Sequence, residues 1–323
     1  MPVFHRAALL LSSLALLLAP LGAAQAQEVH WSLSTEGDLS AFLDCLEAEQ
    51  RTLISAHRGG PSPGLPENAV ETMDAVLAAI PAIMEVDVVA SSDGVLFLMH
   101  DDTLDRTTTG SGEAAAQDWA SIAALKLKDA DGWVTPYTVP KLQDALRWAK
   151  GRTVLQIDFK RSAPYEDVIA MIRAENMAQN VILIAYSVAA AKKLHDLAPE
   201  ILISLSIDRP DALAEAEAAG ISRENIVAFT GTRLPRPNLY TELDKADVEV
   251  IFGTLGGSRS IDKQLDRYGI DARYAELGER GVDIIATDRP RAAARALAEA
   301  ERLPEAGQCG VSRSRRNGVS QEE

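Results

Sequence analysis

Short runs rich in β-branched residues recur along this chain, and nearly every one is followed by a longer stretch with apolar residues at helical spacing. Parallel strands need crossovers of about a dozen residues or more, usually helical, so this alternation is the sequence form of repeated β–α units. Strands are expected near 53–57, 83–88, 153–159, 181–186, 201–207, 225–230, 248–254 and 282–287. Eight strands in this pattern predict a TIM (β/α)8 barrel, whose size of about 250 residues fits within the chain. The intervening stretches each present one apolar stripe to pack on the barrel: Val70, Met73, Leu77 and Ile80 in one, Val168, Ile169 and Ile172 in another.

One β-like run breaks the alternation. Val95 to Met99 is separated from the second strand only by Ala90 to Gly94, too few residues for a parallel crossover. It must return antiparallel through a turn at Ser92-Asp93-Gly94, which brings His100 back close to Glu85. Residues 101–139 hold no strong strand or helix period and include Thr107-Thr108-Thr109-Gly110-Ser111-Gly112. They read as an insertion over the C-terminal mouth of the barrel.

The ends suggest an exported protein. Residues 1–27 have His5 and Arg6 near the start, an apolar run from Ala8 to Leu18, and Ala24-Gln25-Ala26 as a cleavage-like site. The apolar run is too short for a membrane span, so no stable membrane insertion is expected after cleavage and the protein is expected to be secreted or periplasmic. The barrel is placed at 28–303, and 304–323, with Arg313, Arg315 and Arg316, reads as a polar, disordered tail. Cys45 and Cys309 flank the barrel and could pair in an oxidising compartment or remain two thiols; the sequence leaves both open. A formal charge of −15 argues against a nucleic-acid partner, so an anionic substrate would need a metal or a few local basic residues.

The second strand carries Glu85 and Asp87 on one face, with Met84, Val86 and Val88 on the other. Two carboxylates on one face of a buried strand repel unless a cation holds them. The third strand adds Asp158 on the face shared with Gln156 and Lys160. A set of carboxylate ligands favours one divalent cation, Ca²⁺ or Mg²⁺, although an ion-pair network around Lys160 would also hold these acids. His57 ends the first strand and His100 ends the returning run, which puts both at the rim where barrel enzymes react. Paired histidines beside an acidic cluster suit general acid–base catalysis. Asn68, with Glu71 three residues on, suits a helix cap or a substrate contact, and Thr287-Asp288-Arg289-Pro290 suits a helix start.

Taken in order, His57-Arg58-Gly59, Glu67-Asn68, Glu85-Val86-Asp87, His100-Asp101, Arg106-Thr107-Thr108, Ile157-Asp158-Phe159-Lys160 and Thr287-Asp288-Arg289-Pro290 resemble the glycerophosphodiester phosphodiesterase family. The resemblance runs from about residue 53 to 300 and implies a barrel with an insertion after the second histidine and a divalent metal. It implies His57 and His100 as the catalytic pair, Glu85, Asp87 and Asp158 as metal ligands, and Arg58 and Lys160 near the phosphate. The implied reaction is metal-dependent hydrolysis of a small-molecule glycerophosphodiester to glycerol 3-phosphate and an alcohol. A lysophospholipase D-like or other phosphodiesterase, or a non-catalytic phosphoester-binding protein on the same barrel, are the alternatives. This chain has Asp158 where the family usually has Glu, Tyr186-Ser187 in place of a Ser-Phe pairing, and Phe252-Gly253-Thr254 in place of Trp-Thr. The last two differences lie where the resemblance places the alcohol moiety.

Overall fold

In the computed structural model, which describes residues 29–315, the chain starts with β1 (Val29–Leu33) and α1 (Leu39–Ala48). It then forms β2 (Leu53–Ala56), α2 (Val70–Ala79) and β3 (Ile83–Ala90). Outside the barrel wall come β4 (Leu96–Leu98), α3 (Trp119–Ala123), β5 (Lys126–Lys128) and β6 (Val134–Thr138). The alternation resumes with α4 (Leu142–Ala149), β7 (Leu155–Phe159), α5 (Tyr165–Ala174), β8 (Val181–Ala185), α6 (Val188–Leu197) and β9 (Leu202–Ser206). It continues through α7 (Pro210–Ala218), β10 (Ile226–Phe229), α8 (Pro237–Asp244), β11 (Val250–Gly253), α9 (Ile261–Tyr268) and α10 (Arg273–Glu279). Finally β12 (Ile284–Thr287) and α11 (Pro290–Glu299) lead to β13 (Val311–Arg315). The strands pair in the order β2-β12-β11-β10-β9-β8-β7-β3, and β3 pairs with β2, closing the eight-stranded parallel barrel. The expected signal at 1–27 lies outside the described residues.

The two-residue period of the strands sorts their side chains. Ile54, Met84, Val86, Ile157, Leu183, Ile203 and Ile285 face outward and are buried under the helices. Leu53, Ile83, Ile182, Leu202, Val227, Ile251 and Ile284 face inward and form an apolar layer at the strand starts. The apolar stripe of α1, Leu39, Phe42, Leu43 and Leu46, packs onto that layer and plugs the N-terminal end of the barrel. Each such side chain contributes about 1.5–3 kcal/mol by leaving water. Further along the axis the inward positions become polar, with Ser55, Glu85, Gln156 and Ser204, then Asp87 and Asp158, all buried. The interior therefore passes from apolar to acidic toward the C-terminal strand ends.

Residues 101–139 have more structure than their sequence suggests. α3 and the β5–β6 hairpin surround a small core of Phe97, Met99, Leu104, Ala114, Ile122, Leu127 and Val139, packed on the β3–β4 hairpin. A five-residue helix and a three-residue strand are too short to show a period, so sequence pattern misses them. The expected disordered tail is corrected in part as well. β13 pairs antiparallel with β1, from Val29 opposite Arg315 to Leu33 opposite Val311, and Val311 is fully buried. A disulfide joins Cys45 to Cys309 beside this pair, which settles the choice the sequence left open. Among the described residues no helix is long and apolar enough to cross a membrane.

Candidate active site

β2 ends in a tight turn, His57-Arg58-Gly59-Gly60, where the Gly60 N–H donates to the His57 carbonyl at 3.0 Å. Gly60 has φ +78°, and a Cβ there would come within 2.9 Å of Val76 Cγ2 and 3.0 Å of Pro290 Cγ, so only glycine fits. Arg58 itself is held at φ +53°, which aims its backbone N–H at Glu85 Oε2, 2.7 Å away. His57 Nδ1 lies 2.6 Å from Asp288 Oδ1. Asp288 is fixed in turn: the Gly256 N–H donates to its Oδ2 at 3.0 Å, and its own N–H donates to Asp262 Oδ2 at 2.7 Å. Asp262 is fully buried and also accepts from the Tyr274 hydroxyl at 2.6 Å and Thr287 Oγ1 at 2.9 Å. The Thr287–Pro290 stretch does start α11 with Pro290 at its first position, as expected. Its second role, orienting His57 through Asp288, needs contact across 231 residues and leaves no local sequence signal.

The β3–β4 hairpin places the second histidine. Val88 pairs with Leu98, and the Met99 N–H donates to the Asp87 carbonyl at 3.0 Å, so His100 arrives beside Asp87 in the same cavity as Glu85. His100 Nδ1 lies 2.8 Å from Asp101 Oδ1. Both imidazoles thus have Nδ1 engaged by a carboxylate, which leaves Nε2 as the nitrogen for the cavity.

Glu85, Asp87 and Asp158 each bring a carboxylate oxygen within 4.8 Å of the others. Lys160 Nζ bridges two of them, 2.8 Å from Asp87 Oδ1 and 2.7 Å from Asp158 Oδ2, so the ion-pair network and the acidic cluster are one arrangement. Asn68 does not cap α2, whose N-cap is Ala69 without a side-chain bond. Held at φ +56°, Asn68 instead donates from Nδ2 to Asp87 Oδ2 at 2.8 Å and accepts from the Asp87 N–H at 3.0 Å. Burial and the Asp87 charge push the Glu85 carboxyl up to about 8. Asp87 moves down despite its burial, because Lys160 and Asn68 favour its charged form. Burial opposes the charged form of Lys160, yet Asp87 and Asp158 together raise it. Burial likewise opposes charge on His57, but the Asp288 bond and the Glu85 charge raise it overall. Asp158 Oδ1 is buried with no hydrogen-bond partner. An orphaned carboxylate oxygen and a Glu85 driven toward its neutral form are what three acids with too little positive charge produce, and a divalent cation fits that donor set.

His57, Glu85, Asp87, His100, Asp158 and Lys160 all line one cavity of about 160 Å³ at the C-terminal strand ends. The Arg58 side chain does not line it: Nη1 donates to Glu67 at 3.0 and 3.2 Å, and Nε lies 3.9 Å from Asp87 Oδ2. Tyr186 stands at the rim, 66% exposed. Phe252, by contrast, faces outward against Tyr240, and Thr254 Oγ1 donates to the Ala286 carbonyl. The next residue, Leu255, lines the cavity together with Phe229 and Ile184.

The sequence pattern of the glycerophosphoryl diester phosphodiesterase family matches residues 57–235, which begin at His57 and span more than half the chain. YhdW of Bacillus subtilis (strain 168) is 26% identical over 248 residues, 73% of this chain and 94% of that protein. Glycerophosphodiester phosphodiesterase 1 of Rattus norvegicus is 43% identical over a shorter stretch of 83 residues, 26% of this chain and 25% of the rat protein. The crystal structure of a glycerophosphoryl diester phosphodiesterase from Parabacteroides distasonis ATCC 8503 superposes with a TM-score of 0.78 at 29% identity, covering 88% of this chain and 99% of that one. With barrel, ordered motifs and relatives in agreement, the chain belongs to the glycerophosphoryl diester phosphodiesterase family.

Proposed function

We propose that this protein hydrolyses glycerophosphodiesters to glycerol 3-phosphate and an alcohol, with His57 and His100 as the acid–base pair. The observation that carries the reading is the pair of imidazoles, each anchored at Nδ1 by a carboxylate, on the wall of a cavity that also holds three acids and Lys160. One imidazole takes the proton from the attacking oxygen as its bond to phosphorus forms. The other gives a proton to the alcohol oxygen as the old phosphorus–oxygen bond breaks. Lys160 faces the phosphate, and Arg58 adds positive charge from behind Asp87. Glu85, Asp87 and Asp158 would hold one divalent cation, Ca²⁺ or Mg²⁺. Such an ion, when bound, would offset charge on the phosphoryl oxygens and would keep Glu85 ionised.

The test measures release of glycerol 3-phosphate from glycerophosphocholine. Chelation should abolish turnover and added Ca²⁺ or Mg²⁺ should restore it; turnover that resists chelation rejects the metal. His57→Ala and His100→Ala should each lose roughly 10²–10⁴-fold in kcat while keeping the wild-type circular dichroism spectrum. Full activity in either variant removes that histidine from the mechanism.

A second reading has one observation in its favour. A groove leaves the cavity past Ser206 and Phe229, and exposed Tyr186 and Leu234 line it together with Asp208, Arg233 and Arg236. Tyr186 and Leu234 suit a lysophospholipid, and faster turnover of micellar than of soluble substrates would favour it. Non-catalytic phosphoester binding accounts for neither carboxylate-anchored histidine.

Export also belongs to the proposal. Residues 1–27 have the composition of a cleaved signal, and the Cys45–Cys309 disulfide supports an oxidising compartment such as the periplasm or the exterior. Amino-terminal sequencing of the native protein should start near Glu28; an intact Met1 on protein confined to the cytosol overturns it.

A further inference from the structure

Arg106 lies in the insertion and is not among the residues lining the active-site cavity, yet it makes four short charge-assisted bonds. Its Nε and Nη2 donate to Asp101 Oδ2 and Oδ1 at 2.6 and 2.8 Å. Its Nη1 and Nη2 donate to Glu67 Oε2 and Oε1, both at 2.8 Å. Each of these acids has a second partner in or behind the site. Asp101 holds His100 Nδ1 at 2.8 Å, and Glu67 holds the Arg58 guanidinium at 3.0 and 3.2 Å.

We propose that Arg106 is a positioning residue that locks both arms, Asp101–His100 and Glu67–Arg58, into one unit and so makes catalysis depend on the docked insertion. The proposal rests on the roles given above to His100 and Arg58. Its physical basis is the rigid planar guanidinium, whose forked donors fix the orientation of two carboxylates at once. Arg106 is forked onto both carboxylates, and each of these acids also holds a residue of the site, so loss of its four bonds frees both arms at once. Glu67 is only 12% exposed, and without Arg106 it is left to Arg58 alone. The Asp101 carboxyl is held well below the usual range chiefly by Arg106, so it stays ionised and able to orient the imidazole.

The experiment is a double-mutant cycle with steady-state kinetics on glycerophosphocholine. Arg106→Gln should lower kcat roughly 10–100-fold, the scale of a small misplacement of a reacting group. Asp101→Asn should do the same, and the double variant should be no worse than the poorer single one, because both remove the same restraint. Arg106→Lys should recover little, since an ammonium cannot form two forks. Wild-type kcat and KM in Arg106→Gln, or losses that multiply in the double variant, overturn the proposal. If Arg106→Gln melts below the assay temperature, Glu67→Gln decides in its place: a fall in kcat that does not compound with Asp101→Asn supports the unit, and unchanged kinetics reject it. His100→Ala separates the two readings. An active His100→Ala variant removes the mechanism itself, whereas an inactive one beside a fully active Arg106→Gln removes only the positioning role.

Discussion

At the scale of single residues, the two histidines resemble each other more than their sequence settings suggest. Each has its Nδ1 on an acid, but Asp101 is the next residue in the chain whereas Asp288 comes from the far end of the barrel. Asp288→Asn keeps the size and removes the charge. Since Asp288 raises the folded-state pKa of His57, losing it should move the His57 limb of the kcat profile to lower pH, with a reduced plateau. An unmoved limb would mean that Asp288 does not tune His57. The candidate ligands and bases were legible because alternation on a strand and position at a strand end are local patterns. Only the cap reading of Asn68 fails, and for the opposite reason. An asparagine before a helix reads as a cap, and only the fold shows that its amide closes on Asp87 instead.

At the scale of elements, all eight barrel strands and the antiparallel return were legible, since β-branched runs and a five-residue link suffice to place them. The elements that escaped are short or borrow their order from a distant partner. β13 is polar by sequence and becomes a strand because β1 offers it an edge, with Leu33 and Val311 buried between the pair and the barrel. The disulfide beside them closes a loop of 264 residues. Removing it in Cys45→Ser with Cys309→Ser should cost on the order of 2–5 kcal/mol of stability, read as a lower denaturant midpoint. Retention of the wild-type midpoint would show that packing of α1 alone secures this end.

At the scale of the whole molecule, acidity is concentrated at both poles of the barrel. Around the plugged end, Glu249 is buried beside Asp44 and Asp283, and Glu47 lies near Asp244 and Asp283. Burial and neighbouring acids push Glu249 up to about 8, Glu47 to about 7 and Asp283 to about 6. Carboxyls raised on folding stabilise in their protonated form. Their contribution is complete below the unfolded values near 4.5 and 3.8 and disappears as pH rises through 6 to 8. The melting temperature should therefore fall between about pH 5 and 8, and Glu249→Gln should flatten that slope. A slope unchanged in Glu249→Gln would exclude this carboxyl as its source.

The β1–β13 pair has a practical consequence. Val29 and Arg315 sit side by side on the pole opposite the cavity, where Trp31 Nε1 donates to the carbonyl of Ala79 at the foot of α2. A tether attached at either point, to a bead, a surface or a fused protein, leaves the mouth pointing outward, so the immobilised enzyme should meet bulky substrates as freely as the untethered one.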